Sequence, residues 1–460
     1  MNNLTEELPL HELQGIVLHG YGHLYEARFV LLSIRPGRAK DARRFLASLK
    51  LTTAATAARK AAEPGPFVNV AFTHRGLEAL GLDSALLDNF PRDFVEGPTT
   101  EARARLLGDQ GESRPSEWLW GAPAKAPVHA VLLAYAHRDI DSVCDDVLRD
   151  AADAGFEQVE RLETIRLPRR QEHFGFRDGI AQPTIGAVPG NAVAAGEILL
   201  GHKNAFGEPA HVPGAPKSAF ALNGTYAVLR QLEQDVRGFW SFCRAQGSSD
   251  GDAVRFASQM VGRWPSGAPL VKHAPADGDP RTDAASNDND FEYAMADAKG
   301  LRCPFGAHIR RSNPRDWGTA SSAKECRTVV SRHRIIRRGR AYGSPLCPDA
   351  EPLSYLKALD APDPRPNRGL HFLCFNANIE QQFEFVQRQW CNNPKFAGLV
   401  NGVDPLIGDH RRLAGEEPAF SIQRELTAER VKMPARFVRT RGAAYLFMPT
   451  VRAVASLAES

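Results

Sequence analysis

The sequence has no apolar run approaching the roughly 20 residues that a bilayer-spanning helix needs, so no membrane partner is expected. It has little net charge: 57 Lys and Arg against 54 Asp and Glu leave +3 at pH 7. That is too small to make nucleic acid or an anionic membrane the main partner, and the aromatic strands of an RNA-binding ferredoxin-like module are missing as well. No C-x-x-C pair occurs. The seven cysteines, Cys144, Cys243, Cys303, Cys326, Cys347, Cys374 and Cys391, are odd in number, which supports neither a zinc knuckle nor a disulfide framework. Reduced, mostly buried thiols are expected. The first residues, MNNLTEELPLHELQG, are acidic where a secretory signal is basic, with no apolar core or twin arginine, so a cytoplasmic location is expected. No period of about 20–50 residues recurs, which argues against a solenoid.

What is present is ordinary soluble-protein composition, 43% hydrophobic and 24% charged over 460 residues, enough for about two or three domains. Phe29–Ile34, Phe67–Thr73, Val128–Tyr135 and Phe156–Leu167 read as strands, and Ala42–Leu51 and Asp139–Ala152 as helices. Thr73 caps a further short helix that Gly81 ends. The stretch 83–127 reads as a surface excursion. After a Gly/Pro/Ala-rich connection, Gly186–Lys217, a second series follows. Thr225–Leu232, Arg332–Arg340, Gly369–Asn376 and Gly442–Met448 read as strands. Val236–Ala245, Ala253–Trp264, Glu380–Trp390 and Thr450–Leu457 read as helices, and Gly278–Asp290 as a polar loop. Both halves follow a β-α-β-β-α-β order, the pattern of ferredoxin-like α+β units with an antiparallel sheet and helices on one face. The expected division is 1–215 and 216–460.

Three stretches carry chemistry. In Gln171–Thr184, QEHFGFRDGIAQPT, Gly175 and Gly179 bracket Asp178, and such glycines let backbone approach a flat or bulky ligand; Asp178–Gly179 also reads as a plain turn. In Cys303–Arg315, CPFGAHIRRSNPR, His308 has small and apolar residues before it and Arg310, Arg311 and Arg315 after it. An imidazole beside an apolar shelf with guanidinium groups nearby suits a haem, its iron on His308 and its propionates on arginines; an arginine-rich surface turn is the plainer alternative. In Arg337–Gly343, RRGRAYG, Arg337 offers a guanidinium able to steady charge as a peroxide bond breaks, while Asp178 offers an acid/base. An arginine-rich strand is otherwise a solvated edge.

Together these stretches resemble the dye-decolorizing peroxidase family. Its G-x-x-D-G loop stands at Gly175–Gly179, its C-P-x-x-A-H-I-R-x-x-N-P-R segment at Cys303–Arg315, and its R-x-G-x-P-Y-G strand at Arg337–Gly343, with Ala341 replacing proline and Arg338 adjacent. LQGIVLHGY at 13–21, LEQDVRGFWSF at 232–242, MVGRWPSGAPL at 260–270, NGVDPLIG at 401–408 and RGAAYLFMP at 441–449 extend the resemblance over the chain, closest to the family's longer branch.

The resemblance implies two ferredoxin-like α+β domains in a dimeric α+β barrel-like arrangement, with one haem b (iron protoporphyrin IX) per chain in the C-terminal half. His308 would be the proximal iron ligand, Asp178 the distal acid/base and Arg337 the distal guanidinium. Arg310, Arg315, Gly179, Leu370 and Phe372 would contact the haem. Asp404 would accept the other N–H of His308, with Asp409 behind it; an Asp-Pro turn and core packing are the plainer readings of Asp404 and of Leu370 and Phe372. Hydrogen peroxide and aromatic small-molecule reductants such as dyes and phenols are the implied partners, through a ferryl porphyrin-radical intermediate, in a monomer or homodimer. Bulky reductants would react at surface aromatics, with Tyr342 the first candidate and Trp264 and Trp390 behind it. A haem carrier or sensor without turnover is the alternative, which leaves Asp178 and Arg337 unexplained.

Overall fold

A computed structural model describes residues 8–59, 65–185, 192–279, 288–318, 321–363, 367–411, 417–434 and 436–459. The centre of the expected polar loop (280–287) and the start of the expected connection (186–191) lie outside them. The principal strands are β1 (Glu26–Ile34), β2 (Phe67–Phe72), β3 (Ala130–Ala136), β4 (Phe156–Glu163), β5 (Thr225–Gln234), β6 (Ile336–Arg337), β7 (Arg340–Tyr342), β8 (Gly369–Asn376) and β9 (Val438–Met448). They form one nine-stranded sheet in the order β4-β1-β3-β2-β9-β5-β8-β6, with β7 also paired to β8.

The order 4-1-3-2 occurs twice. The first half runs β4-β1-β3-β2, and the second runs β9-β5-β8 with β6 and β7 as its split second strand. The halves join where Phe72 of β2 pairs with Phe447 of β9. The far edges also meet, because the N–H of Ile165 just after β4 donates to Ala341 O on β7 at 2.7 Å. The sheet thus curls into a barrel, which removes its open edges.

Strand alternation sorts the core. Phe29, Leu31, Leu133, Leu229, Leu373 and Phe375 fill the barrel interior. On the outer face of the first half, Val30, Leu32, Val68, Val70 and Leu132 pack under Phe45 and Leu46 of helix Ala39–Ser48 and Cys144 of helix Ile140–Asp153. Helices Val236–Ala245, Asp250–Val261 and Pro352–Ala358 cover the second half through Phe239, Trp240, Ala257 and Tyr355.

Three expectations needed correction. The stretch 83–127 is no surface excursion: it holds helices Ser84–Leu87, Arg92–Glu96 and Glu101–Leu107, and Phe90, Phe94, Leu107 and Trp120 sit in the core. The strand Arg332–Arg340 is shorter and broken, because helix Ala323–Ser331 continues into a helical Arg332. The chain then pairs with β8 on either side of Gly339, where a Cβ would lie 2.7 Å from His371 O. Glu380–Trp390 is helical but widened, with π-type turns over Glu380–Glu384 and Val386–Cys391. Such i→i+5 turns are rare and often mark functional sites.

Candidate active site

The loop Gln171–Gly179 folds back on itself. The N–H of Glu172 donates to Phe176 O and that of Gly175 to Glu172 O, both at 2.9 Å, and Gly175 adopts φ +90°. A side chain at Gly175 would press on Ala350 O at 3.1 Å, so a glycine suits both the conformation and the space. Asp178 leaves this turn with its Oδ1 accepting the Gly179 N–H at 2.6 Å. The turn expected at Asp178–Gly179 is therefore present.

Arg337 lies on β6 opposite Cys374, and its backbone N–H donates to Gln182 Oε1 at 2.9 Å. Its Nη1 sits 3.2 Å from Asp178 Oδ1. Arg338 points the other way and donates to the carbonyls of Ile16, Val17 and Leu18, so of the two adjacent arginines it is Arg337 that reaches the cavity. Burial alone would raise the Asp178 pKa, but the Arg337 charge and the Gly179 N–H more than offset it and hold the carboxyl below the usual range. Asp178 and Arg337 keep 40% and 31% of their side-chain surface accessible.

His308 opens the short helix His308–Ser312. Its Nδ1 is 2.9 Å from Asp404 Oδ2, and Asp404 is fully buried. Asp404 Oδ1 also accepts the N–H groups of Leu406 and Ile407 at 2.9 and 3.0 Å. Here too the Asp-Pro turn is real and serves the histidine. Burial disfavours the His308 cation, yet the Asp404 charge and hydrogen bond outweigh it, and the pKa is raised. The carboxylate holds a proton on Nδ1, which leaves Nε2 as the ring's available electron pair.

His308, Asp178 and Arg337 line one cavity holding about 1560 Å3 of space free of protein atoms, its mouth included. Leu370, Phe372, Phe383, Leu406 and Ile407 give it apolar walls, and the widened 380–391 helix contributes Phe383, Val386 and Gln387. Most of the lining comes from the second half, but Glu172–Ala181 closes it from the first. Gly179, at φ +79°, lines a smaller adjoining cavity that shares Glu172, Asp178, Arg337 and Leu370 with the large one.

Arg310 does not reach the cavity. It is fully buried, pairs with Asp297 at 2.9 Å and lies 4.4 and 4.6 Å from the Tyr293 and Phe305 ring centres. Arg311 is likewise structural, donating to the carbonyls of Trp390, Asn393 and Gly402. Arg315 does line the cavity, held by Asn289 O and Phe291 O at 2.9 and 3.0 Å over the Phe291 ring. Arg263 and Arg334 join it in the lining. Neither was singled out from sequence, although Arg263 stands in the GRWPSG stretch and Arg334 in the arginine-rich segment. Glu172, inside the first motif, was also passed over.

Asp409 is not behind Asp404; it pairs with Arg411 and Arg436 at 2.5 and 2.7 Å. Tyr342 is no surface aromatic, being 6% exposed and stacked on His371 at 4.5 Å. Trp264 is buried too. Trp390 is half-buried, 5.1 Å from the ring of His333, which lines the cavity.

No protein-family model matches the chain. A dye-decolorizing peroxidase of Mycena epipterygia is 30% identical over 505 aligned residues, spanning 100% of this chain and 88% of the relative. The chain belongs to the dye-decolorizing peroxidase family. It is an oxidoreductase acting on peroxide, as the family is. The crystal structure of a fungal peroxidase of this family from Auricularia auricula-judae superposes with a TM-score of 0.79 at 26% identity, covering 99% of this chain and 100% of that one. A dye-decolorizing peroxidase solved in complex with 2,6-dimethoxyphenol gives 0.75 at 28% identity over 98% and 100%. Among the described residues, no helix is long and apolar enough to cross a membrane.

Proposed function

We propose that this peroxidase holds one haem b per chain in the large cavity and oxidises dyes, phenols and other aromatics with hydrogen peroxide. The observation that carries this reading is the arrangement of three side chains on one cavity: an Asp404-bound His308, and the Asp178–Arg337 pair. The donor set fits a haem. An imidazole nitrogen free to bind iron stands among apolar walls, and Arg263, Arg315, Arg334 and Arg337 outnumber the lining carboxylates Glu172 and Asp178, as two propionates require.

His308 would bind iron through Nε2, with Asp404 fixing the ring and strengthening it as a donor. Leu370 and Phe372 would lie against the macrocycle, and Arg315 would meet a propionate. The bound haem supplies the redox chemistry. Asp178, ionised over most of the pH scale, would take the proton from the inner oxygen of peroxide and return it to the outer one, which leaves as water. Arg337 would orient peroxide and steady the negative charge on the departing oxygen. The complex of a family member with 2,6-dimethoxyphenol supports phenols as reductants. For reductants too bulky for the cavity, the contact of Trp390 with His333 offers an electron route to the surface. The division into 1–215 and 216–460 would place the Asp178 loop in the first domain and His308 and Arg337 in the second, so the site needs both.

The test is reconstitution of the full chain with haem, then mixing with hydrogen peroxide and an anthraquinone dye across pH. A Soret band that changes on adding peroxide, with dye loss, is the expected result. A Soret band that peroxide leaves unchanged would instead support a haem carrier.

A further inference from the structure

Glu172 precedes Asp178 on the same loop, and the peroxide chemistry above gives it no part. Its carboxylate accepts three N–H donors: Phe174 N and Gln234 Nε2 on Oε2 at 2.9 and 2.8 Å, and Phe176 N on Oε1 at 3.0 Å. The side chain therefore ties the turn at 174–176 to the end of β5, and Asp178 emerges directly from that turn. Glu172 also lines both cavities at the place where they share Asp178, Arg337 and Leu370. Glu172 thus borders the same space as the Asp178–Arg337 pair.

The two oxygens are not equivalent. Oε2 takes two donors and Oε1 takes one. A carboxylate oxygen has about two acceptor sites, so Oε1 can carry a proton without giving up any of the three bonds. A glutamine could not do the same, because its NH2 would confront an N–H donor whichever way it turned.

We propose that Glu172 is a positioning residue for Asp178: its carboxyl group ties down the turn that presents Asp178, and a proton exchanged at Oε1 switches a second negative charge on and off beside that side chain. The role of Asp178 is taken from the function proposed above. The charged and titratable groups around Glu172 are Arg170, His173, Arg177 and Asp178 on its own stretch, Arg337 on β6 and Tyr355 on helix Pro352–Ala358, with Arg166, Arg338 and Arg340 along the smaller cavity; Gln234 on β5 is a neutral donor. Burial, and less strongly the Asp178 charge, push the Glu172 carboxyl up to about 7, with the N–H donors offsetting part of the rise. Below that pH, Asp178 has the Arg337 charge beside it and little tendency to take a proton. Above it, the like charge of Glu172 makes Asp178 a stronger base. The peroxide step then gains a second inflection near pH 7, a rise of less than about tenfold, since coupling of one pKa unit is a factor of ten.

The same proton shows in stability. Between the ordinary value of 4.5 and about 7 the folded chain keeps a proton that the unfolded chain has lost. Stability attributable to Glu172 is therefore full below that window and falls as pH rises through it.

The test is an infrared pH titration of the full chain, with and without haem, beside the pH profile of the peroxide step. The wild type should show a protonated-carboxyl band that disappears with a midpoint near 7, and Glu172→Gln should lack it. Asp178→Asn should keep the band with its midpoint moved down, and Gln234→Leu, which removes a donor, should move it up. In the peroxide profile, Glu172→Gln should lose the inflection near neutrality. A band that survives in Glu172→Gln, a midpoint unmoved in Asp178→Asn, or an inflection that survives in Glu172→Gln would each overturn the proposal. Should Glu172→Gln fail to fold, the Asp178→Asn midpoint decides alone. Failure to bind haem would refute the proposed function and leave the apoprotein titration to test Glu172 independently.

Discussion

Two groups on the cavity lining are built on opposite plans. Around His308, Asp404 accepts from the imidazole and from two backbone N–H groups while fully buried, so the ring has one orientation open to it. Elsewhere on the lining, Asp178 and Arg337 share one contact at 3.2 Å and keep 40% and 31% of their surface accessible. A ligand to iron must stay put, whereas a proton carrier must accept, turn and release. In the function proposed above, cofactor retention falls to the first group and peroxide chemistry to the second, so each should be breakable without the other.

The largest effect should come from His308→Ala. The chain should fold but lose its haem on gel filtration, and retention of a full complement would remove His308 as the ligand. Arg337→Leu should keep the haem and slow the peroxide-driven Soret change by about 10²–10³-fold, the cost of losing one charge-stabilising donor; a simultaneous loss of haem would blur the distinction between the two groups. Asp404→Asn should weaken haem retention by about 10–100-fold, as loss of a partner to a ligating histidine does, measured by haem transfer to an acceptor protein. The smallest change should come from Trp390→Phe, which should lower turnover of a bulky dye by a few-fold and leave a small phenol unaffected. Equal effects on both reductants would take Trp390 off the route.

Much of this was legible in the sequence. The strand-helix alternation of each half revealed the α+β class because its strands are long and apolar, and Gly369–Asn376 was bounded as observed. Asp178, His308 and Arg337, read from short motifs, and Leu370 and Phe372, read from the family resemblance, all line one cavity. Arg310 misled for a geometric reason. Residues 308 and 310 stand about 200° apart on a helix, so Arg310 turns away from the face of His308 toward Asp297, while Arg315, at φ +59°, comes after the helix and returns to the cavity. Tyr342 misled by parity. With Arg337 facing the cavity, the even-numbered Arg338, Arg340 and Tyr342 face the barrel, where Tyr342 meets His371. The widened turns of 380–391 were hidden because Phe383 and Val386 suit an ordinary helix equally well. Sequence alone also could not show how far the helices stand from the sheet. The first half fills that gap with Phe45, Leu46 and Cys144, and the second leaves a cavity there.

In the proposed function Asp178 works as a base whose proton affinity Arg337 holds down, and the acid limb of the peroxide step tests this most directly. Stopped-flow Soret changes should be recorded from neutral pH down to the limit of stability for wild type, Arg337→Leu and Asp178→Asn. In the wild type the rate should hold, below the shallow step near pH 7 proposed for Glu172, until below the ordinary aspartate value of about 3.9, because the Arg337 charge and the Gly179 N–H outweigh burial. In Arg337→Leu burial loses its main opponent, so the limb should move to higher pH as well as the rate falling. In Asp178→Asn the limb should vanish and the rate should be low throughout. An acid limb at the same pH in all three proteins would contradict the account.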